Sequence, residues 1–261
     1  MAQPLTGSAA KAPDVIGLGT LLNMAAIVVG SAVGVLVGAR LPERTRDLIT
    51  QALGLITLVV AALNIVALLD ADWIADVGSS APLLIVLGSV VVGGIFGSLL
   101  HIEDKVERFG GWLQSKVGRS EGSAARARFI EGFVDASLLF CVGPLAILGS
   151  LSDGLGQGID QLALKSVLDG FASIAFAASL GWGVAFSALA VGIVQGLFTV
   201  LGALVGSVLA ASAIASITAT GGVLLLGVGL RLLKVSRLPV ADLLPALVVA
   251  PLLTLAVSSW L

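Results

Sequence analysis

Two pairs of ionisable residues lie within apolar stretches of the sequence, and they are the groups best suited to chemistry. Glu131 and Asp135 are four residues apart in FIEGFVDASLLFCVGPLAILGS, and Lys165 and Asp169 are four apart in LALKSVLDGFASIAF. A four-residue spacing puts both members of a pair on one face of an α-helix. Ionisable groups in apolar, membrane-like surroundings are costly and commonly mark a binding site or an ion path. The carboxylates suit a cation or a proton, and Lys165 either pairs with Asp169 or binds an anion.

Nearby polar and helix-breaking residues belong to the same candidate site. Asn23 and Gln195 lie in two further apolar stretches, where an amide either binds a ligand or joins two helices by hydrogen bonds. Gly143-Pro144 is expected to break the helix that carries Glu131. Carbonyl groups freed at such a break can coordinate a cation, or a neighbouring hydroxyl can satisfy them. Glu131 has a plainer alternative, because a polar group near a helix end can reach the membrane interface.

The composition indicates a chain that is solvated by a membrane. Hydrophobic residues make up 57% of the 261 residues and charged residues 11%, whereas a soluble domain carries about 25% charged residues. The charged groups are too few to cover a water-facing surface, which excludes a soluble enzyme and a nucleic-acid-binding protein with a basic face. The one cysteine, Cys141, excludes an intrachain disulfide and a metal site made of several cysteines.

Eight apolar segments reach the length of about 20 residues that a transmembrane helix needs. They are 18–40, 47–69, 82–101, 128–150, 162–181, 183–209, 213–233 and 240–260. The sequence therefore predicts an all-α membrane protein, a polytopic bundle of about eight transmembrane helices. A seven-span alternative joins 162–181 to 183–209 or makes one of them re-entrant. Gly181-Trp182-Gly183 favours a tight turn between these two segments instead.

The distribution of Lys and Arg predicts the orientation of these spans. All but two of the 14 cations lie in or at the edges of three alternate loops: after the first span, between the third and fourth, and between the seventh and eighth. Eight spans put these loops on one face, and the positive-inside rule makes that face cytoplasmic. Both termini are then outside. The loop between the second and third spans carries Asp70, Asp72 and Asp76 and no cation, as expected for the outer face.

Two segments differ from the spans in composition. Residues 1–17 are expected to be a disordered tail in front of a single transmembrane domain, 18–261. Residues 102–127 are expected to form a cytoplasmic amphipathic helix and a loop, because apolar residues recur there at helical spacing. The opposite face of that helix is charged and carries Glu103, Asp104, Lys105, Glu107 and Arg108. Such a helix either lies in the membrane interface or docks a partner.

The spacing of small residues suggests an internal duplication. Four residues of the first two spans recur 168 positions later: Gly34, Gly38, Thr50 and Gly54 match Gly202, Gly206, Thr218 and Gly222. The shift of five spans inverts the repeat across the membrane, so that spans 1–3 match spans 6–8. Inverted repeats are typical of secondary transporters. Close packing of membrane helices produces the same spacing without duplication.

Several strings of the sequence are similar to one family of bacterial membrane proteins. They are GTLLNMAAIVVGSAVGVLVGARLPERTRDLITQALGLITL, EGFVDASLLFCVGPLAILGSLSDGL, LALKSVLDGFASIAFAASLGWGV and VQGLFTVL, within which FCVGP and KSVLDG are specific. The chain resembles the family known as domain of unknown function 554 over about residues 17–260. The resemblance implies a bacterial inner-membrane protein of a kind often labelled a transporter. It implies no established substrate and no agreed functional residues.

Three functions fit these residues. The first, which we expect, is a non-enzymatic transporter or channel for a small solute or ion, cation- or proton-linked, with Asp135 and Asp169 approaching one central site from opposite sides. The second is a membrane scaffold or accessory subunit. The third is an intramembrane aspartyl enzyme whose two carboxylates share a proton.

The expected partners follow from the same features. They are the lipid bilayer, the small solute or ion and, through faces rich in small residues, a second copy of the chain in a homodimer. No metal is expected to reside in the protein, and no nucleic acid is expected to bind it. No P-loop or Rossmann motif occurs in the sequence, so no nucleotide cofactor is expected.

Overall fold

The computed structural model describes residues 16–117, 123–205 and 210–260, and within these ranges the protein is helical without a strand. The α-helices there are α1 (Leu18–Gly38), α2 (Glu43–Ile65), α3 (Ala71–Val77), α4 (Ala81–Leu100), α5 (Ile102–Val117), α6 (Ser123–Cys141), α7 (Pro144–Gly154), α8 (Asp160–Leu180), α9 (Gly183–Val205), α10 (Ala211–Leu232) and α11 (Ala246–Ser258). Two short 3-10 helices, Val66–Leu69 and Val240–Leu243, follow α2 and precede α11. The predicted tail, 1–17, lies outside the described residues apart from its last two positions.

The helices have the length and the surface of membrane spans. Seven described segments of 19–27 residues are apolar enough to cross a bilayer, and α6 with α7 makes an eighth crossing if that pair is one span. The outward faces of these helices are apolar, as lipid-facing surfaces must be. Leu36, Leu63, Leu99 and Leu204 are all at least 68% exposed. The prediction of an all-α polytopic membrane protein is confirmed.

The fourth predicted span, 128–150, consists of two helices. α6 ends at Cys141 and α7 begins at Pro144, with a bend of 64° between their axes. Proline has no amide hydrogen to donate and disfavours a helical conformation of the residue before it. Gly143 has φ 153°, a value that residues with a side chain rarely adopt. Gly143-Pro144 therefore ends α6 within the predicted span.

α8 and α9 are two helices, as the eight-span interpretation requires. α8 ends before Gly181, whose φ is 80°, and α9 begins at Gly183. Glycine adopts this left-handed conformation without the steric cost that a Cβ atom brings. The alternative that merges 162–181 with 183–209 into one element is therefore wrong, because the chain turns at this glycine.

Glycines let α1 approach α8 until the two backbones touch. A methyl group at any of three α1 positions would overlap a carbonyl oxygen of α8: Gly30 faces Gly170, Gly34 faces Ile174 and Gly38 faces Ala178. No side chain fits at these positions. Small residues at four-residue spacing join membrane helices in this way, because close backbones gain van der Waals contact.

α2 and α10 contact each other in reciprocal pairs of residues, as two copies related by a two-fold axis do. Gly54 of α2 lies against Gly229 of α10, and Gly222 of α10 lies against Ala61 of α2. Gly54 and Gly222 are 168 residues apart, and so are Ala61 and Gly229. Two copies related by a two-fold axis make their contacts in such exchanged pairs. The positions also show that the two helices are antiparallel.

α1 and α9, which correspond under the same shift of 168 residues, each pack a glycine against a further helix. Gly34 of α1 lies against Ile174 of α8, while Gly202 of α9, which is its counterpart 168 residues later, lies against Leu151 of α7. α1 packs on α9, and α4 packs on α11. These contacts match an inverted repeat in which α1, α2 and α4 correspond to α9, α10 and α11.

α5 covers the segment that the sequence predicts as an amphipathic helix. One side of it packs on α6, where the rings of Phe109 and Phe133 are 5.9 Å apart. Glu103 departs from the predicted pattern, because it was expected on the charged outer face and the structure buries it. Its carboxylate forms an ion pair with Arg231, which replaces the water that the group loses on burial.

The loops rich in cations lie at one end of the bundle. Lys234, after α10, forms an ion pair with Asp47 of α2 at 3.1 Å, close to the loops before α2 and after α4. The opposite end holds the start of α1 and the end of α7, where the backbone amide of Gly19 donates to Asp153. Alternating spans therefore bring the cationic loops to a common end, as the sequence predicts.

The closeness of α1 to α8 gives a stability test. We expect Gly34→Ala to lower the free energy of unfolding by about 1–3 kcal/mol, because the added methyl group overlaps the Ile174 carbonyl oxygen. Gly196→Ala is the matched control, because a Cβ atom there has no neighbour within 4 Å. The control gains helix propensity, so its unfolding free energy should be unchanged or slightly higher. Unfolding in mixed micelles measures both, and equal effects of the two substitutions would contradict the close contact.

Candidate functional site

The first cluster of buried polar groups joins α1 to α8. Lys165 Nζ is 3.0 Å from Oδ1 and 2.8 Å from Oδ2 of Asp169, and the Asn23 amide donates to Oδ2 at 2.9 Å. All three side chains are buried. The four-residue spacing aligns Lys165 with Asp169 on α8, and the glycine face of α1 brings Asn23 within reach. The cluster is electrically neutral, and both oxygens of its carboxylate accept hydrogen bonds.

The second cluster joins α5, α6 and α10. Arg231 Nη1 is 2.5 Å from Oε1 of Glu103, and Arg231 Nε is 3.4 Å from Oδ1 of Asp135. The other Glu103 oxygen accepts a hydrogen bond from the Ala241 amide at 2.7 Å, and the Glu103 amide donates to Asp242 at 2.8 Å. Glu103 is therefore held on several sides, and it orients the guanidinium that approaches Asp135.

Asp135 differs from Asp169 in lacking hydrogen bonds. Its side chain is completely buried, and neither carboxylate oxygen accepts a hydrogen bond from a described residue. The guanidinium of Arg231 lies at ion-pair distance but is shared with Glu103. One arginine between two carboxylates leaves an excess of negative charge. A buried charge of this kind needs a further proton, cation or donor to be stable.

A polar pocket connects the second cluster to the cationic end of the bundle. We call this 590 Å³ space the vestibule; its charged lining residues are Glu103, Glu107, Glu131, Arg231, Lys234 and Arg237. Glu131 is half-buried, one helical turn before Asp135 on α6. Arg231 lines the vestibule and also contacts Asp135, so it separates the vestibule from the buried carboxylate.

Gln195 lies on the buried face of α9. Its side chain is completely buried, and neither its amide nitrogen nor its amide oxygen has a hydrogen-bond partner among the described residues. The Asn23 oxygen lacks a partner in the same sense. A buried amide without partners loses its interactions with water and gains none in return. These two amides therefore have unused capacity to bind a polar solute or an ion.

The structure divides the predicted site residues between two sets. Asn23, Lys165 and Asp169 come together, and Asp135 lies with Arg231 in a separate set. Among the described residues, Asp135 and Asp169 have different cationic partners and exchange no hydrogen bond. A shared proton, as in an aspartyl protease dyad, requires two carboxylates in direct contact.

Comparison with known proteins assigns the chain to a protein family. The family described as "Protein of unknown function (DUF554)" matches residues 18–255. The chain belongs to this family. It is 30% identical to "Uncharacterized protein YqgA" of Escherichia coli K12, over 93% of this chain and 98% of the relative. It is 29% identical to "Uncharacterized membrane protein YdfK" of Bacillus subtilis 168, over 93% of this chain and 97% of the relative. No solved structure matches it.

For this member of the family, sequence reasoning missed the role of Arg231 and Glu103. Arg231 is in the last turn of α10 and was counted only as a loop cation that sets orientation. Glu103 was assigned to the exposed face of α5. A partial signal was present, since the spans that carry Asp135 and Arg231 have their cationic ends on the same predicted face. A common face does not show that two helices are neighbours, and only the fold supplies that information.

The ion pair between Lys165 and Asp169 can be tested through stability. We expect Lys165→Met to lower the free energy of unfolding by about 3–5 kcal/mol, because it leaves a buried carboxylate without a cation. The double substitution Lys165→Met, Asp169→Asn should recover most of this loss, since it removes both charges and keeps an acceptor for Asn23.

The exposed pair Lys234–Asp47 supplies the matched control, with side chains 61% and 53% exposed. Lys234→Met should cost at most about 1 kcal/mol. A double substitution at 165 and 169 that is less stable than Lys165→Met alone would show that the pair is not held by charge.

Proposed function

We propose that this chain is a membrane transport protein that moves a small cation, or a solute coupled to protons, across the bacterial inner membrane. The observation that carries the proposal is Asp135, a fully buried carboxylate. Among the described residues it accepts no hydrogen bond, and its cationic partner, Arg231, is shared with Glu103. Charged groups inside a membrane domain are rare and commonly lie on ion pathways. A carboxylate in this state favours a positively charged occupant.

The surroundings of Asp135 support a path on one side of it. The vestibule opens at the cationic end and is bounded by Arg231, which contacts Asp135. Movement of this guanidinium away from Asp135, with its ion pair to Glu103 kept, would expose Asp135 to the vestibule. Glu131, one turn nearer that end, adds a second carboxylate along the same line.

The exchanged contacts of the helices support the same proposal. Secondary transporters commonly consist of inverted repeats, with substrate sites near the midplane at the junction of the repeats. Gln195 and the cluster of Asn23, Lys165 and Asp169 lie on α1, α8 and α9, where the two repeats meet. We infer that the amide groups of Gln195 and Asn23, which have atoms without a partner among the described residues, form the second part of the path. We assign no catalytic step to the protein.

The orientation is part of the proposal. The loops rich in Lys and Arg share one end of the bundle, and the positive-inside rule assigns that end to the cytoplasm. The vestibule then opens to the cytoplasm, and both termini are outside.

A scaffold that transports nothing is the second candidate. The observation that favours it is the neutral cluster on α8, where Lys165 and Asn23 satisfy the Asp169 carboxylate completely. Such a cluster can serve stability alone. This candidate predicts that substitutions at Asp135 alter stability or assembly and leave ion permeability unchanged.

Flux into liposomes separates the two candidates. We expect purified protein in liposomes to carry protons, Na⁺ or K⁺ down an imposed gradient, as read by fluorescent indicators inside the vesicles. Asp135→Asn should reduce the rate by at least about tenfold, because an amide lacks the charge that holds the cation. Asp160→Asn is the matched control, since Asp160 is exposed at the start of α8. Absence of flux in the wild type, or equal rates in Asp135→Asn and wild type, would contradict the proposal and favour the scaffold.

A further inference from the structure

A long apolar groove runs along α6, and no charged side chain of either cluster lines it. The groove is partly open, and its volume is about 470 Å³. This volume is within the range of roughly 300–1,000 Å³ for small-molecule sites. Its walls come from α5, α6, α7, α9, α10 and the segment before and within α11. Neither Asp135 nor Asp169 lines it.

The spacing of the lining residues shows that the groove is elongated. On α6 it extends from Phe133 to Cys141, and on α9 it follows Ala190, Val194 and Phe198 at every fourth position. Eight residues of helix correspond to about 12 Å at a rise of 1.5 Å per residue. The groove therefore follows the helix axes for at least two turns, a shape that suits an extended hydrocarbon chain.

Polar groups are few along the groove, and they are unevenly placed. Lys105 of α5 lines one end, and this lysine has no ion-pair partner among the described residues. The hydroxyl of Ser137 also lines the groove and has no hydrogen-bond partner in the described part of the chain. The remaining walls, which include Leu138, Ile147 and Leu247, are apolar.

We propose that the groove binds one acyl chain of an anionic phospholipid, with the lipid phosphate at Lys105. An acyl chain in the groove gains van der Waals contact with the apolar walls, because the protein packs around it more closely than the surrounding lipid does. The phosphate supplies a negative charge to Lys105, which has no ion-pair partner among the described residues. Anionic lipids attract basic residues at the cytoplasmic interface in the same way. The Ser137 hydroxyl can donate to the ester carbonyl that lies between the phosphate and the chain. A neutral lipid or a hydrocarbon would bring no negative charge to Lys105.

The one cysteine of the sequence provides a direct probe, because Cys141 lines the groove. The experiment measures alkylation of Cys141 by N-ethylmaleimide in nanodiscs of phosphatidylcholine, with and without phosphatidylglycerol. Phosphatidylglycerol should slow the reaction of the wild type by about fivefold, the factor expected for one lysine beside an anionic headgroup. Lys105→Glu should abolish this protection.

Controls separate a specific site from general surface charge. Lys116→Glu reverses the charge of an exposed residue on the same helix outside the groove, so protection should persist. Val194→Trp fills the groove and should slow alkylation equally in both lipids. Native mass spectrometry gives a second measurement, with one phosphatidylglycerol retained by wild type and lost from Lys105→Glu and Val194→Trp.

Several outcomes would overturn the proposal. Equal protection by phosphatidylcholine and phosphatidylglycerol would show that the headgroup is not selected. Protection by oleate without protection by phosphatidylglycerol would assign the groove to a free fatty acid. Loss of protection in both Lys105→Glu and Lys116→Glu would reduce the effect to diffuse surface charge. If Cys141 does not react in any lipid, retention of no phosphatidylglycerol by wild type in the mass spectrum would reject the proposal.

Discussion

An ionised side chain in the hydrocarbon core of a membrane is stable only where protein groups replace the water it has lost. This constraint governs the interior of the protein. Asp169 meets it fully, with Lys165 on its own helix and the Asn23 amide on the next. Asp135 meets it only in part, because Arg231, its cationic partner among the described residues, also serves Glu103. The contrast separates a carboxylate that stabilises the fold from one that is suited to exchange a proton or a cation.

Close helix packing is what makes the satisfied cluster possible. Gly30 and Gly34 let the backbones of α1 and α8 touch, and Asn23 then reaches Asp169 across the interface. The exchanged contacts of Gly54 and Gly222 repeat this use of small residues on α2 and α10. Membrane helices gain little from the hydrophobic effect when they associate, so van der Waals contact and polar bonds decide their positions. The same residues therefore determine both the fold and the environment of the charges.

Much of the fold could be predicted from the sequence because its signals are local. The apolar segments, the Gly143-Pro144 break and the turn at Gly181 each depend on a few adjacent residues, and the structure contains all three. The pairing of Lys165 with Asp169 was likewise one of the predicted alternatives, since four-residue spacing is a local property. The resemblance to the family added the membrane setting and no site.

The rest depends on which helices are neighbours, and that is set by long-range packing. Arg231 lies beside Asp135 only because α10 crosses α6, and Glu103 is buried only because α5 folds back toward Arg231 and the Ala241 amide. The helical spacing of the apolar residues places Glu103 on a charged face, where most glutamates would be solvated. Asp135 and Asp169 belong to different clusters for the same reason. Asp135 pairs with Arg231 of a neighbouring helix, whereas Asp169 pairs with Lys165 of its own helix.

Both carboxylate oxygens of Asp135 lack a hydrogen-bond partner among the described residues, and the proposed function depends on this deficit. An experimental structure in a lipid nanodisc, at a resolution that shows ordered water and ions, tests it most directly. We expect a water molecule or cation about 3 Å from an Asp135 oxygen, with Arg231 remaining on Glu103. Direct hydrogen bonds from protein groups to both Asp135 oxygens, with no solvent or ion beside them, would contradict the account.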